Sequence, residues 1–127
     1  MREFRFDPLR RTPIVRALLV GPRQTSKVRL VFDTGAAMTQ FHFATMRLVG
    51  YNESMKISDI SITSTTMDEE HGYSVQASKL FVLGKRFENF PIAGYDMSRL
   101  ARHGIDGLLG FDVISQLHLE VGGPEGV

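Results

Sequence analysis

Two short stretches of this chain hold residue types that could do chemistry together: Asp33-Thr34-Gly35-Ala36, and Leu108-Leu109-Gly110 preceded by Asp106. Asp33 directly follows the apolar run Leu30-Val31-Phe32. A carboxylate at the end of a buried strand is costly unless hydrogen bonds hold it. Thr34 offers a small hydroxyl, and Gly35 lets other backbone come close. A carboxylate held this way can act as a general base on water, provided a second acid polarises the bond under attack. Two such carboxylates side by side share one proton, because both cannot ionise easily at short range. Taken alone, Asp-Thr-Gly is a common tripeptide and reads more simply as a strand-ending Asp that caps a turn, with Gly35 supplying the turn geometry.

Other chemistries find little here. The chain has no cysteine, which removes thiol catalysis, disulfides and thiolate zinc sites together. The histidines are His42, His71, His103 and His118, and none forms His-Glu-x-x-His. Glu69-Glu70-His71 is the one acidic–His cluster; it falls where a hairpin tip is expected and reads as solvated surface, so no metal and no cofactor are expected. There is no Gly-x-Ser-x-Gly. Gly84-Lys85 lacks the upstream glycine of a phosphate loop, and Gly104, Gly107 and Gly110 do not have dinucleotide spacing. Asn52-Glu53-Ser54 is formally a glycosylation sequon, a pattern that chance produces often.

Net charge is +1, and the mildly basic run Arg2 to Arg16 reads as a solvated edge, so no nucleic-acid partner is expected. No apolar run approaches ~18 residues, so no segment is expected to span a membrane. The start, MREFRFDPLRRTP, lacks the apolar region of a signal peptide, and a cytoplasmic location is the default expectation.

The elements that must position these residues are short. The 127 residues, 43% hydrophobic and 23% charged, fit one globular domain over 1–127. Pro13–Val20 and Lys27–Phe32 are β-branched and apolar, separated by a Gly21-Pro22 turn, and predict a hairpin that runs straight into Asp33. Phe43–Val49 has helical spacing with Gly50 as its stop. Ile57–Thr66 alternates as a half-exposed strand, and Tyr73–Leu83 resumes strand character, giving a second hairpin with Met67–Gly72 at its tip. Gly84-Lys85-Arg86 predicts a turn, Phe87–Ala93 a strand, and Tyr95–His103 a polar connection with room for one helical turn. Asp112 is expected to cap a short helix over Val113–Gln116, with Asp106 as a turn residue. His118–Val121 is expected to be a last strand, and residues 122–127 a disordered tail. Many short strands split by turn residues predict an all-β, closed or nearly closed barrel with one or two short helices.

In this order and separation the two motifs resemble those of the retropepsin-like aspartic proteases. Asp33-Thr34-Gly35-Ala36 after an apolar strand is similar to that family's signature. Leu108-Leu109-Gly110 before a short C-terminal helix is similar to its second motif. The resemblance covers roughly residues 12 to 121. It is closer to bacterial and eukaryotic cellular members than to viral ones, because the helix-like FATMRLVG follows the first motif. The resemblance implies an acid-protease barrel with a flap hairpin. It implies Asp33 as the catalytic carboxylate, Thr34 bonding across a dimer axis, Gly35 admitting a substrate backbone, and Ala36 beside it. Gly72 and Tyr73, near the tip of the second hairpin, would belong to the flap over a peptide substrate. Leu108, Leu109 and Gly110 would pack behind the active loop.

The chain carries one such motif and has the length of half a two-lobed enzyme, so a homodimer is expected to bring two Asp33 together on a C2 axis. Terminal segments around Glu3–Phe6 and His118–Val121 are the expected interface strands. The rival expectation is a catalytically silent dimerisation or peptide-binding module. The intact Asp33-Thr34-Gly35 speaks for chemistry, since a pure binder has no use for a like-charge pair.

Overall fold

Alternation of side chains decides the first hairpin. A computed structural model of the chain describes residues 13–63 and 69–117. Strands β1 (Ile14–Val20) and β2 (Thr25–Phe32) pair antiparallel across a turn in which the Gly21 N–H donates to the Gln24 carbonyl at 3.1 Å. Ala17, Leu19, Val28 and Leu30 point inward and are buried, while Arg16, Leu18, Lys27 and Arg29 point outward and are exposed. This is the period of two that a one-sided strand requires.

After β2 come β3 (Gln40–His42) and helix α1 (Phe43–Val49). Thr45, Met46 and Val49 are the buried face of α1, and Gly50 ends it as expected. Gly50 lies at φ 109°, where its N–H reaches the carbonyls of Met46 and Arg47. A 3-10 turn (Glu53–Met55) leads to β4 (Ser58–Thr63), followed by the long strands β5 (Glu69–Val82) and β6 (Lys85–Tyr95). The expected helical turn in the polar connection is α2 (Ser98–Ala101), and β7 (Gly107–Leu109) and α3 (Phe111–Ile114) complete the described elements.

Among the described residues the pairing order is β1-β2-β7-β3-β6-β5, and β5 returns to β1 through Ala17 opposite Val82 and Leu18 opposite Phe81. Six strands thus close a barrel, and β4 hangs from β5 as the outer arm of a hairpin. The interior holds Leu19, Leu30, Phe41, Met46, Leu80 and Leu109, each fully buried. Each such side chain contributes about 1.5–3 kcal/mol relative to exposure. No helix among the described residues is long and apolar enough to cross a membrane.

Several local expectations are corrected. β3 and β7 are additional three-residue strands, too short to show a period. The β5–β6 turn is formed by Leu83 and Gly84, with Lys85 and Arg86 already in β6. Helix α3 starts at Phe111 with Gly110 at its N-cap, so Asp112 lies in the first turn and is not the cap. The expected terminal strands at Glu3–Phe6 and His118–Val121, and the tail 122–127, lie outside the described residues.

Candidate active site

Asp33 is the first residue beyond β2. Its N–H donates to the Leu109 carbonyl at 3.0 Å, which continues the parallel β2–β7 pairing one step past Phe32 opposite Leu109. The Ala36 N–H donates back to the Asp33 carbonyl at 3.2 Å and closes a tight turn. Inside that turn the Gly35 N–H donates to Asp33 Oδ1 at 2.8 Å. A Cβ on residue 35 would stand 3.2 Å from the same oxygen, closer than a methyl group sits comfortably. Asp33 is half-buried, Thr34 and Gly35 are exposed, and Ala36 is buried. The result is a carboxylate with one oxygen steadied by the backbone and the group still open to a reactant.

The second motif sits behind this loop. Leu109 is fully buried and Leu108 half-buried, and both lie on β7 beside the end of β2. Gly110 passes so close to the loop that a Cβ there would be 2.5 Å from the Met38 carbonyl carbon. The Phe111 N–H then donates to the Ala36 carbonyl at 2.7 Å, and the Asp112 N–H to the Ala37 carbonyl at 3.3 Å.

Two residues with structural duties escaped the sequence reading. Thr39 is fully buried, and its hydroxyl donates to Asp112 Oδ1 at 2.8 Å while accepting from the Gly110 N–H at 3.0 Å. Its backbone N–H donates to Asp112 Oδ2 at 3.0 Å. Asp112 therefore ties the loop to α3. A threonine six residues past Asp33 gives no sequence signal of this, because the partner lies 73 residues away. Asp106 is likewise more than a turn residue. Its Oδ2 accepts from the Arg29 N–H at 2.9 Å and its Oδ1 from the Thr45 hydroxyl at 2.9 Å, joining β2 to α1.

The structure places Gly72 and Tyr73 away from the hairpin tip. The β4–β5 pairing runs out to Thr63 opposite Glu69, so the connection spans 64–68, outside the described residues. Gly72 pairs with Ile60, well down the hairpin, where a Cβ would come within 1.9 Å of the Gly94 carbonyl oxygen. Tyr73 is buried, and its ring stacks on Phe43 with centroids 5.4 Å apart and planes 13° from parallel. Burial raises its phenol above the ordinary range. Both residues lie toward the root of the hairpin, where Tyr73 pairs with Asp59 on one side and Gly94 on the other.

No family model matches the sequence, and no curated protein does. The fold is similar to the crystal structure of a retropepsin-like aspartic protease from Rickettsia conorii, with a TM-score of 0.64 over 84% of this chain and 80% of that one, at 15% identity. A likeness that spans four-fifths or more of both chains, closing the same kind of barrel, shows that this chain has the retropepsin-like fold.

Proposed function

We propose that the chain is an aspartic endopeptidase that works as a homodimer, each copy supplying one Asp33. The observation that carries this reading is the Asp33 loop: a half-exposed carboxylate, one oxygen held at 2.8 Å by the Gly35 N–H, on a turn anchored to Leu109. The neighbouring Asp112 cannot serve as the partner acid, because both its oxygens are committed to Thr39.

In the proposed dimer a C2 axis passes between the two loops, with the two Asp33 carboxylates about 3 Å apart around one water. The ionised carboxylate takes the proton of the water as the oxygen attacks the peptide carbonyl. The protonated carboxylate donates to the carbonyl oxygen. Proton sharing makes the apparent acid constants a property of the pair. Thr34, exposed beside Asp33, would bond across the axis; Gly35 and Ala36 would flank the substrate chain. The β4–β5 hairpin, rooted at Gly72 and Tyr73, would be the flap, and Leu108, Leu109 and Gly110 would hold the loop from behind.

The test is cleavage of an unbiased peptide library from about pH 4 to 7, with wild type and Asp33→Asn compared over a range of protein concentrations. Turnover that vanishes in Asp33→Asn and rises faster than linearly with wild-type protein is the expected result. A folded, dimeric wild type that cleaves nothing would overturn the assignment.

A further inference from the structure

Away from the Asp33 loop, the outer face of the barrel carries a groove of about 970 Å³ that the proposed chemistry does not use. None of residues 33–36 or 108–110 lines it. Lys27, in its lining, precedes Asp33 by six residues of extended strand, about 20 Å along β2.

Register explains its composition. Lys27 lies opposite Leu18, Leu18 opposite Phe81, and Phe81 opposite Arg86. Side chains directly opposite one another in a sheet share a face. The row therefore reads cation, leucine, phenylalanine, cation across four strands. In the next outward row Arg29 lies opposite Arg16. Like charges directly opposite are destabilising in a free sheet. Among the described residues Arg16, Lys27 and Lys85 take part in no ion pair, and Arg86 pairs with Glu88 at 3.0 Å. Asp106 is the one carboxylate in the lining, and both its oxygens already accept hydrogen bonds from the barrel wall. Five cationic side chains thus surround an apolar floor with little internal compensation.

Leu83 adds an independent observation. It occupies the first position of the two-residue β5–β6 turn at φ 50°, with Gly84 at φ 78°. That turn favours Asn, Asp or Gly at its first position, and leucine pays a steric penalty there. The leucine is also half exposed, at 49%, on the lip of the groove. Local stability would be better served by asparagine, and the apolar side chain instead extends the apolar surface of the groove.

We propose that this groove docks an acidic protein segment in which leucine or phenylalanine residues alternate with glutamate or aspartate. The apolar residues would seat on Leu18, Phe81 and Leu83, and the carboxylates would meet Arg16, Lys27 and Arg29 on one side and Lys85 and Arg86 on the other. The apolar floor favours a protein segment over a nucleic acid, whose phosphates need cations but no leucine. Charge complementarity of this kind sets specificity and association rate and weakens with salt.

The experiment uses the full chain and a fluorescein-labelled peptide, EELEFELE, followed by anisotropy. A serine version, EESESESE, and a single-stranded oligonucleotide of equal charge serve as competitors. Binding that loses about tenfold in affinity with Arg16→Glu/Lys27→Glu, or with Lys85→Glu if the double variant fails to fold, is expected. The serine peptide should compete about tenfold less well than the acidic-apolar one. Leu83→Asn should weaken binding while raising Tm. The proposal is overturned by affinity unchanged in the folded charge-reversal variants, by equal competition from the serine peptide, or by tighter binding of the oligonucleotide. Asp33→Asn should bind the peptide as wild type does, so loss of cleavage and loss of docking are separable.

Discussion

Thr39 gives both its backbone N–H and its hydroxyl to the Asp112 carboxylate, at 3.0 and 2.8 Å, across 73 residues of sequence. The same hydroxyl oxygen accepts from the Gly110 N–H at 3.0 Å, so one buried threonine joins the Asp33 loop to the start of α3. Asp112→Ala would leave two buried Thr39 donors without acceptors. The expected cost is about 2–4 kcal/mol in urea unfolding, since each bond to a charged group is worth about 1.5–3 kcal/mol and the losses overlap. Thr39→Val orphans the Gly110 N–H, while Asp112 Oδ1 keeps the Val113 N–H at 2.8 Å, and about 1–3 kcal/mol should be lost. A change below about 0.5 kcal/mol in both variants would show that the network does not hold the loop.

What could be read in the sequence, and what could not, follows from the range of each interaction. β1, β2, α1 with its Gly50 stop, and the long β5 and β6 announce themselves because alternation, helical spacing and turn residues are local. β3 and β7 are set by neighbours far away in the chain: Gly107 is a strand residue because Leu30 and Phe41 lie on either side of it. The Thr39–Asp112 tie is invisible for the same reason. Leu83 hid the turn because a leucine is a poor signal for a left-handed position. Met67–Gly72 looked like a tip by polarity, but Glu69 to Gly72 are paired residues. At the candidate site, Asp33, Gly35 and Gly110 were singled out through the family resemblance, because the local physics of an Asp at a strand end does not by itself distinguish a reactive carboxylate from a turn cap.

Gly107 and Gly84 should respond oppositely in size to the same substitution. A Cβ on Gly107 would come 1.9 Å from the Gln40 carbonyl oxygen and 2.9 Å from the Phe41 Cα, both backbone. Gly107→Ala must therefore spread β3 from β7, the strand that anchors Asp33. The expected loss exceeds about 3 kcal/mol, at the upper end of overpacking costs. Gly84 has φ 78° with open space around its Cα. Gly84→Ala carries the left-handed penalty alone, about 1–2 kcal/mol. Thermal melts of the two variants decide it: equal losses would mean that the β3–β7 contact yields easily.

Stability should fall at alkaline pH on account of two buried phenols, Tyr73 and Tyr95. Burial raises Tyr73 and Tyr95 above their ordinary value, with a smaller contribution from Glu53 for Tyr73 and from Glu70 for Tyr95. Folded pKa values above the unfolded value of about 10 mean that the native state holds these protons more tightly. Their contribution is complete below about pH 10 and is lost as pH rises through the folded values. Urea midpoints should decline over that window, and Tyr73→Phe should flatten the decline. An unchanged slope in Tyr73→Phe would remove Tyr73 from the account.

Phe111 is the prediction that bears most directly on the proposed homodimer. Its side chain is 51% exposed, yet its N–H is bonded to the Ala36 carbonyl at 2.7 Å, so it stands beside the Asp33 loop. Thr34, Gly35 and Ala37 are exposed with it. If the C2 axis passes between two such loops, each Phe111 becomes part of the contact surface, and symmetry counts its burial twice. Covering the exposed half of a phenylalanine contributes on the order of 1 kcal/mol per copy, and Phe111→Asp also sets two carboxylates near the axis. The dimer should weaken by about a hundredfold or more, as seen by sedimentation over a concentration series. Stability of the isolated subunit should stay within about 0.5 kcal/mol of wild type, because the residue is exposed there and an acid in the first turn of α3 suits the helix. Cleavage should fall at low protein concentration and recover at high concentration, which a damaged Asp33 loop would not do. Identical sedimentation of wild type and Phe111→Asp at every concentration would place the interface elsewhere.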